Sequence, residues 1–479
     1  MKKLTLIFSV AVMLVFNSCG ADNWISLFDG KTMDGWKPSE NTDSWKVEDG
    51  MLVTRGSRSH LFYDGSIGNH NFKNFEFSVD VKTDPGSNSG IYFHTKYQEK
   101  GWPNLGYECQ VINSSPKVKP GDYIEHKMTG SLYAIRNLWK APAKDGEWFN
   151  YRIMVQGMTV HIYINNRLMV DYTEPENAYR PKSMKGRLIS SGTFALQCHD
   201  PKSVVYYKNL KVKILPDDLQ TPGTPPEDLV FEKKLIDLAN SNFPLIDLHT
   251  HLKGGMTIDQ ALENARKYGF TYGIAINCGL KMGFETESSL KKYMDKYKQP
   301  PETYFAMQAE GREWLDMFSI ESIKKFDYAF TDAMTWTNNN GTRMRLWIKE
   351  ELDVGDPQDF MDQLVDHTVE IITTEPISIW VNPSFLPEGL APRYDELWTK
   401  KRMDRVVQAL AKSGVAMEIN ARFKLPSAAF IKRAKKAGVK FTFGTNNGGA
   451  NDLGRLDYCI QMVEECGLKG DDMWIPGGE

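Results

Sequence analysis

The stretch Leu215-Pro-Asp-Asp-Leu-Gln-Thr-Pro-Gly-Thr-Pro-Pro-Glu-Asp-Leu229 divides the chain. Its prolines and its lack of any apolar period mark a semi-rigid linker over residues 216–228. Upstream, over 24–215, short segments alternate apolar and polar residues: Phe75-Glu-Phe-Ser-Val-Asp-Val81, Tyr151-Arg-Ile-Met-Val155 and Val160-His-Ile-Tyr-Ile164. Asp-Pro-Gly, Gln-Gly and Asn-Asn turns break them up, which is the pattern of an all-β antiparallel sandwich or jelly roll. Downstream, over 229–479, apolar strands alternate with amphipathic helices. The strands are expected at 245–248, 272–276, 304–307, 328–330, 377–381, 416–419 and 440–443. Ile258, Leu262 and Ala265 share one helical face over 258–268, and residues 429–437 read the same way. Seven β/α units predict an α/β barrel, a distorted (β/α)7 fold whose working residues sit at the C-terminal ends of its strands.

The 479 residues exceed one ordinary core, consistent with two domains. A net charge of −3 with interspersed signs leaves no basic stripe, so no nucleic-acid partner is expected. Lys2 and Lys3 precede an apolar run from Leu4 to Phe16, too short to span a bilayer and typical of a signal peptide over 1–19. The run ends at Ser18-Cys19, a lipobox-like site, so lipidation of Cys19 and an exported, membrane-anchored lipoprotein are expected, in the periplasm or outside the cell. The five remaining cysteines, Cys109, Cys198, Cys278, Cys459 and Cys466, are odd in number and contain no C-x-x-C, which argues against a disulfide framework and a zinc ribbon.

In the first domain, Glu108 and Gln110 are two residues apart and so share one side of a strand. His199 and Lys208, from later strands, are expected to join them on one sheet face. The phrases Leu27-Phe-Asp-Gly-Lys-Thr-Met-Asp-Gly-Trp36, Asn88-Ser-Gly-Ile-Tyr-Phe93, Gly106-Tyr-Glu-Cys-Gln110, Thr129-Gly-Ser-Leu-Tyr133 and Leu196-Gln-Cys-His199 follow in order. Together they resemble the 3-keto-disaccharide hydrolase family. The resemblance implies a concanavalin-like jelly roll that cleaves glycosides already oxidised to a ketone at C3. Such a ketone acidifies the hydrogen on C2, so a base can remove it, the C1 substituent leaves, and water adds across the double bond. On this reading Glu108 or His199 is the base and Lys208 the cation for the enolate, although Lys208 stands where the family often has arginine, and Asn113 where aspartate is common. Asn88, Tyr92, Gln110 and Tyr133 are candidate substrate contacts. The alternative is a carbohydrate-binding lipoprotein, because sandwiches of this shape also serve as binding modules.

In the second domain, Leu248-His249-Thr-His251 ends a strand with two histidines able to share a metal. The context resembles the polymerase-and-histidinol-phosphatase (PHP) family of metal hydrolases, with Glu310 in Gln308-Ala-Glu-Gly311 at the usual carboxylate position. The chain departs from that family at Asn277-Cys278-Gly279, at Asn382-Pro383 and at Thr445-Asn446-Asn447-Gly448, where metal ligands are usual. His249, His251, Glu310 and Asp332 are the expected ligands of one divalent metal, zinc or manganese. Asn382, Asn420, Asn446 and Asn447 are expected to form an amide rim suited to sugar hydroxyls.

Overall fold

The computed structural model describes residues 23–116, 119 and 122–477. The signal peptide and Cys19 lie outside the described residues.

Two antiparallel sheets form the first domain. The larger runs in the order Arg167–Thr173, Thr159–Ile164, Phe149–Gln156, Phe75–Thr83, Val204–Ile214, Met51–Arg55 and Trp45–Glu48, with Ile25–Ser26 paired alongside Val204–Ile214. The smaller is Trp36–Pro38, Ser59–Tyr63, Thr193–Cys198, Ser89–Thr95 and Tyr107–Val111. Alternation builds the larger sheet. Phe75, Phe77, Val79 and Val81 point into the core, opposite Val155, Ile153, Tyr151 and Phe149 in register. The hairpin after Thr159–Ile164 turns on Asn165 and Asn166, both at positive φ, the conformation that a two-residue turn between twisted strands requires. In the smaller sheet, four of the five strands are buried along their whole length.

Seven parallel strands close the second domain into a barrel: Ile246–Thr250, Thr271–Gly279, Tyr304–Glu310, Tyr328–Thr331, Ile379–Trp380, Ala416–Asn420 and Phe441–Gly444. The last pairs with the first through Asp247 and Phe443. The helix Ile258–Tyr268 starts on a Thr257/Gln260 capping box and ends on Gly269 at positive φ.

The two domains share an interface. Trp139 of the sandwich packs into the barrel's apolar core, and its indole N–H donates to the Gly269 carbonyl at 3.0 Å. Ile236, from the helix Leu229–Asn240, packs in turn into the sandwich core. Beside them Arg136 and Glu232 form a buried ion pair at 2.9 Å.

Candidate active site

Strand register assembles the first cluster. On the outward face of the smaller sheet, Phe62 lies across from Ala195, Ala195 from Tyr92 and Tyr92 from Glu108. One step along, His60 lies across from Gln197, and Gly90 from Gln110. The residues between them, Leu61, Leu196, Ile91 and Cys109, point the other way into the sandwich core.

Glu108 is the acceptor at the centre of this face. Gln197 Nε2 donates to its Oε1 at 2.8 Å and to the Tyr92 hydroxyl at 2.9 Å. Arg187 brings Nη2 to 3.6 Å from Glu108 Oε2, with its guanidinium 5.3 Å from the Tyr92 ring centroid. Burial, reinforced by the Glu108 charge, raises the Tyr92 phenol well above its ordinary value, which keeps it a neutral hydroxyl. Gly90 makes room for the carboxylate, since a Cβ there would lie 2.7 Å from Glu108 Oε1. Trp102, partly exposed, overhangs the cluster with its ring 5.5 Å from His60 and 5.2 Å from His199. His199 is half-buried at the rim and its Nδ1 lies 2.8 Å from Asp200 Oδ2.

Several buried polar atoms on this face lack a protein partner: both ring nitrogens of His60, Gln110 Oε1 and Gln197 Oε1. Native interiors leave few such atoms unpaired. Burial, aided by the nearby Arg58 charge, pushes the His60 imidazole down to about 3, so it is neutral at ordinary pH.

The other expected contacts divide. Gln110 Nε2 donates to Asn88 Oδ1 at 3.3 Å, which places both on the same face. Tyr133 adjoins it, its N–H donating to the Glu108 carbonyl and its hydroxyl to Glu125 Oε2 at 2.9 Å. Asn113 is occupied by Thr83 and Thr129. Lys208 is a correction: it lies on the outer surface of the larger sheet, 3.9 Å from the Trp148 ring and across from Asp80. A bulge after Lys208 interrupts the strand's register, and the core separates the two faces. The cation beside Glu108 is Arg187. Neither it nor His60 was legible in the sequence: Arg187 sits in a loop, and His60 in a strand buried on both faces that carries no alternation.

At the barrel mouth, His249 Nδ1 is 2.7 Å from Glu418 Oε1, and its Nε2 is 3.3 Å from Gln308 Oε1. His251 Nδ1 faces the Ala275 carbonyl at 3.1 Å. Glu310 Oε1 accepts from Asn277 and Gln308, each at 2.9 Å. Burial, with the Asp332 charge added to it, holds the Glu310 carboxyl well above the usual carboxylate range. Asp332 accepts from Asn382 Nδ2 at 2.9 Å, and Asn382 Oδ1 accepts from both Asn420 and Asn446 at 3.0 Å.

Of the ligands expected for a metal, His251 Nε2 and Glu310 Oε2 are buried without a protein partner. Among the described residues, no three His, Cys, Asp or Glu side chains gather where they could hold an ion. The amides that replace the family's ligands hydrogen-bond to the carboxylates and to one another. In the expected sugar-binding rim, Asn382 uses both ends of its amide within the network and Asn446 donates its Nδ2 there. A separate cavity of about 1170 Å³, walled by Trp347, Phe385, Tyr394, Phe423, Tyr458 and Met462 among others, includes none of these residues.

The fold and site together define a jelly-roll sandwich, with a carboxylate and a guanidinium on one outer sheet face, joined to a parallel seven-stranded barrel. Residues 23–213 match the family model described as the 3-keto-alpha-glucoside-1,2-lyase-like domain. The 3-keto-disaccharide hydrolase of Bacteroides thetaiotaomicron is 33% identical over 162 residues, 29% of this chain and 56% of that protein. The chain thus spans about half the length of the curated relative it matches. A structure named for a glycosyl hydrolase of Parabacteroides distasonis is 26% identical, with a TM-score of 0.36, over 40% of this chain and 94% of that one. The histidinol phosphate phosphatase of Lactococcus lactis is 11% identical, with a TM-score of 0.34, over 47% of this chain and 95% of that one. The amino-terminal domain therefore resembles the 3-keto-disaccharide hydrolase family.

Proposed function

We propose that the sandwich cleaves 3-keto-glycosides by elimination and hydration, with Glu108 as the base. The observation that carries this reading is a buried carboxylate, fed by the Gln197 and Arg187 donors, on the outer sheet face of a domain that matches the lyase-like family model. Glu108 takes the proton from C2 of the keto sugar, and the C2–H electron pair passes to the enolate, whose oxygen Arg187 holds. The enolate then forms the C1–C2 double bond as the C1–O bond breaks. His199, oriented by Asp200, protonates the departing oxygen. Water adds across the resulting enone to give the free 3-keto sugar. The barrel takes no chemical step in this scheme.

The test uses the full chain and a 3-keto-disaccharide, with Glu108→Gln as the control. Release of the free sugar by the parent, reduced about 100-fold or more in the variant, is the expected result for removal of a general base. Saturable sugar binding without any cleavage would instead favour a binding module. We also place the protein at the membrane through lipidated Cys19, as the signal sequence suggests. Cys19→Ala should move it to the soluble fraction, and unchanged membrane association would contradict the anchor.

A further inference from the structure

We propose that His60 is a substrate-binding residue that hydrogen-bonds a sugar hydroxyl through one of its ring nitrogens, while Gln197 Oε1 accepts from the neighbouring hydroxyl. The site would then select a sugar edge with two adjacent free hydroxyls and turn the ketone toward Arg187. This rests on the sugar-directed reading of the sandwich face, and it adds the groups that set its specificity.

His60 is fully buried, yet neither ring nitrogen has a partner. Its ring is clamped by aromatic edges: Tyr92 at 5.4 Å, Trp102 at 5.5 Å and Phe62 at 6.3 Å between centroids. Those contacts fix its position and leave its polar atoms nothing to do within the protein. Directly across the strand pair, Gln197 spends its Nε2 on Tyr92 and Glu108 and leaves Oε1 unpaired. Because Nε2 must face a carboxylate, the amide cannot be turned over without setting two acceptors against each other. A row of unpaired acceptors calls for a ligand that brings donors. A ketone only accepts, whereas a hydroxyl donates and accepts, as a neutral imidazole does. The keto oxygen is therefore matched to the guanidinium of Arg187 and the hydroxyl-bearing edge to His60 and Gln197.

The experiment compares the full-length parent with His60→Leu, which removes both nitrogens, and His60→Gln, which keeps a donor and an acceptor. Three readouts are taken: kcat and KM on a 3-keto-disaccharide, Kd for the unoxidised parent disaccharide by calorimetry, and the thermal midpoint. We expect His60→Leu to raise KM and Kd at least 10-fold, to leave kcat within threefold and to leave the midpoint unchanged or higher. His60→Gln should recover most of the affinity. Across a monodeoxy series of the disaccharide, one position should lose 10-fold in affinity with the parent and nothing with the Leu variant. Loss of midpoint with sugar affinity intact would mean that the imidazole serves only the fold and would overturn the proposal, as would a deoxy series showing no such coupling. If the parent binds sugar through His60 but cleaves no keto-glycoside, the catalytic reading falls and the hydroxyl grip stands. Cleavage that is indifferent to His60 gives the reverse.

Discussion

An imidazole that is kept neutral by burial carries a pH signature of its own. The folded-state values of His60 and His94 are depressed to about 3 and about 4, burial being the largest cause for each. Unfolded, both take up protons below about 6.5. Between these limits the unfolded chain binds more protons, so stability is present above about 6.5 and is lost as the pH falls toward 3. His60→Leu should flatten the acid limb of a urea-midpoint profile in part, because burial also depresses the His94, His126 and His251 imidazoles, which keep their share of the slope. Superimposable limbs would contradict the burial argument. At this scale the sequence was informative only where a residue lay in a strong motif. Glu108 was readable because Gly106-Tyr-Glu-Cys-Gln110 surrounds it. Arg187 and Glu418 were not, because each acquires its role from a partner on another element.

Sheet faces decide what sits beside Glu108. The smaller sheet brings Gly90 against it, and a methyl group there would press on Oε1 at 2.7 Å. Gly90→Ala should displace the carboxylate and lower kcat about 10-fold or more, in line with the sensitivity of catalysis to small misplacements. The thermal midpoint should shift by only a few degrees, and parental turnover in Gly90→Ala would show that the position of Glu108 does not matter. The elements differ in how legible they were. The three alternating segments read from the sequence all belong to the larger sheet, which has one face on the core. The smaller sheet is buried on both faces and shows no period of two, so of its strands only the one carrying Glu108 and Gln110 was placed, through its motif. The seven barrel strands were found where they lie because parallel strands read as short apolar runs between amphipathic helices.

At the scale of the whole molecule, the sandwich and barrel are joined through buried groups as well as by the linker. Arg136→Ala would leave Glu232 charged and unpaired in the interface, which costs ~3–5 kcal/mol for pairs of this kind. Urea unfolding followed by tryptophan fluorescence should show that loss, and a midpoint within error of the parent would mean that the pair is solvated. The barrel itself should be indifferent to chelator. Among the described residues no three His, Cys, Asp or Glu side chains gather where they could hold an ion, so elemental analysis should find no stoichiometric zinc or manganese, and dialysis against EDTA should leave the thermal midpoint unchanged. A bound equivalent of metal that is lost in His249→Ala would refute this. The sequence signalled a metal because His249, His251 and Glu310 occupy family positions, but whether ligands converge depends on all seven strand ends, and Asn382, Asn420 and Asn446 link several of them instead. The central claim, that the sandwich is an elimination catalyst with Glu108 as its base, is tested most directly by deuterium at C2. A 3-keto-disaccharide deuterated at C2, incubated with the full chain in ordinary water, should lose its label as the glycosidic bond breaks, with Glu108→Gln blocking both events. Cleavage that retains the C2 deuterium would contradict the account.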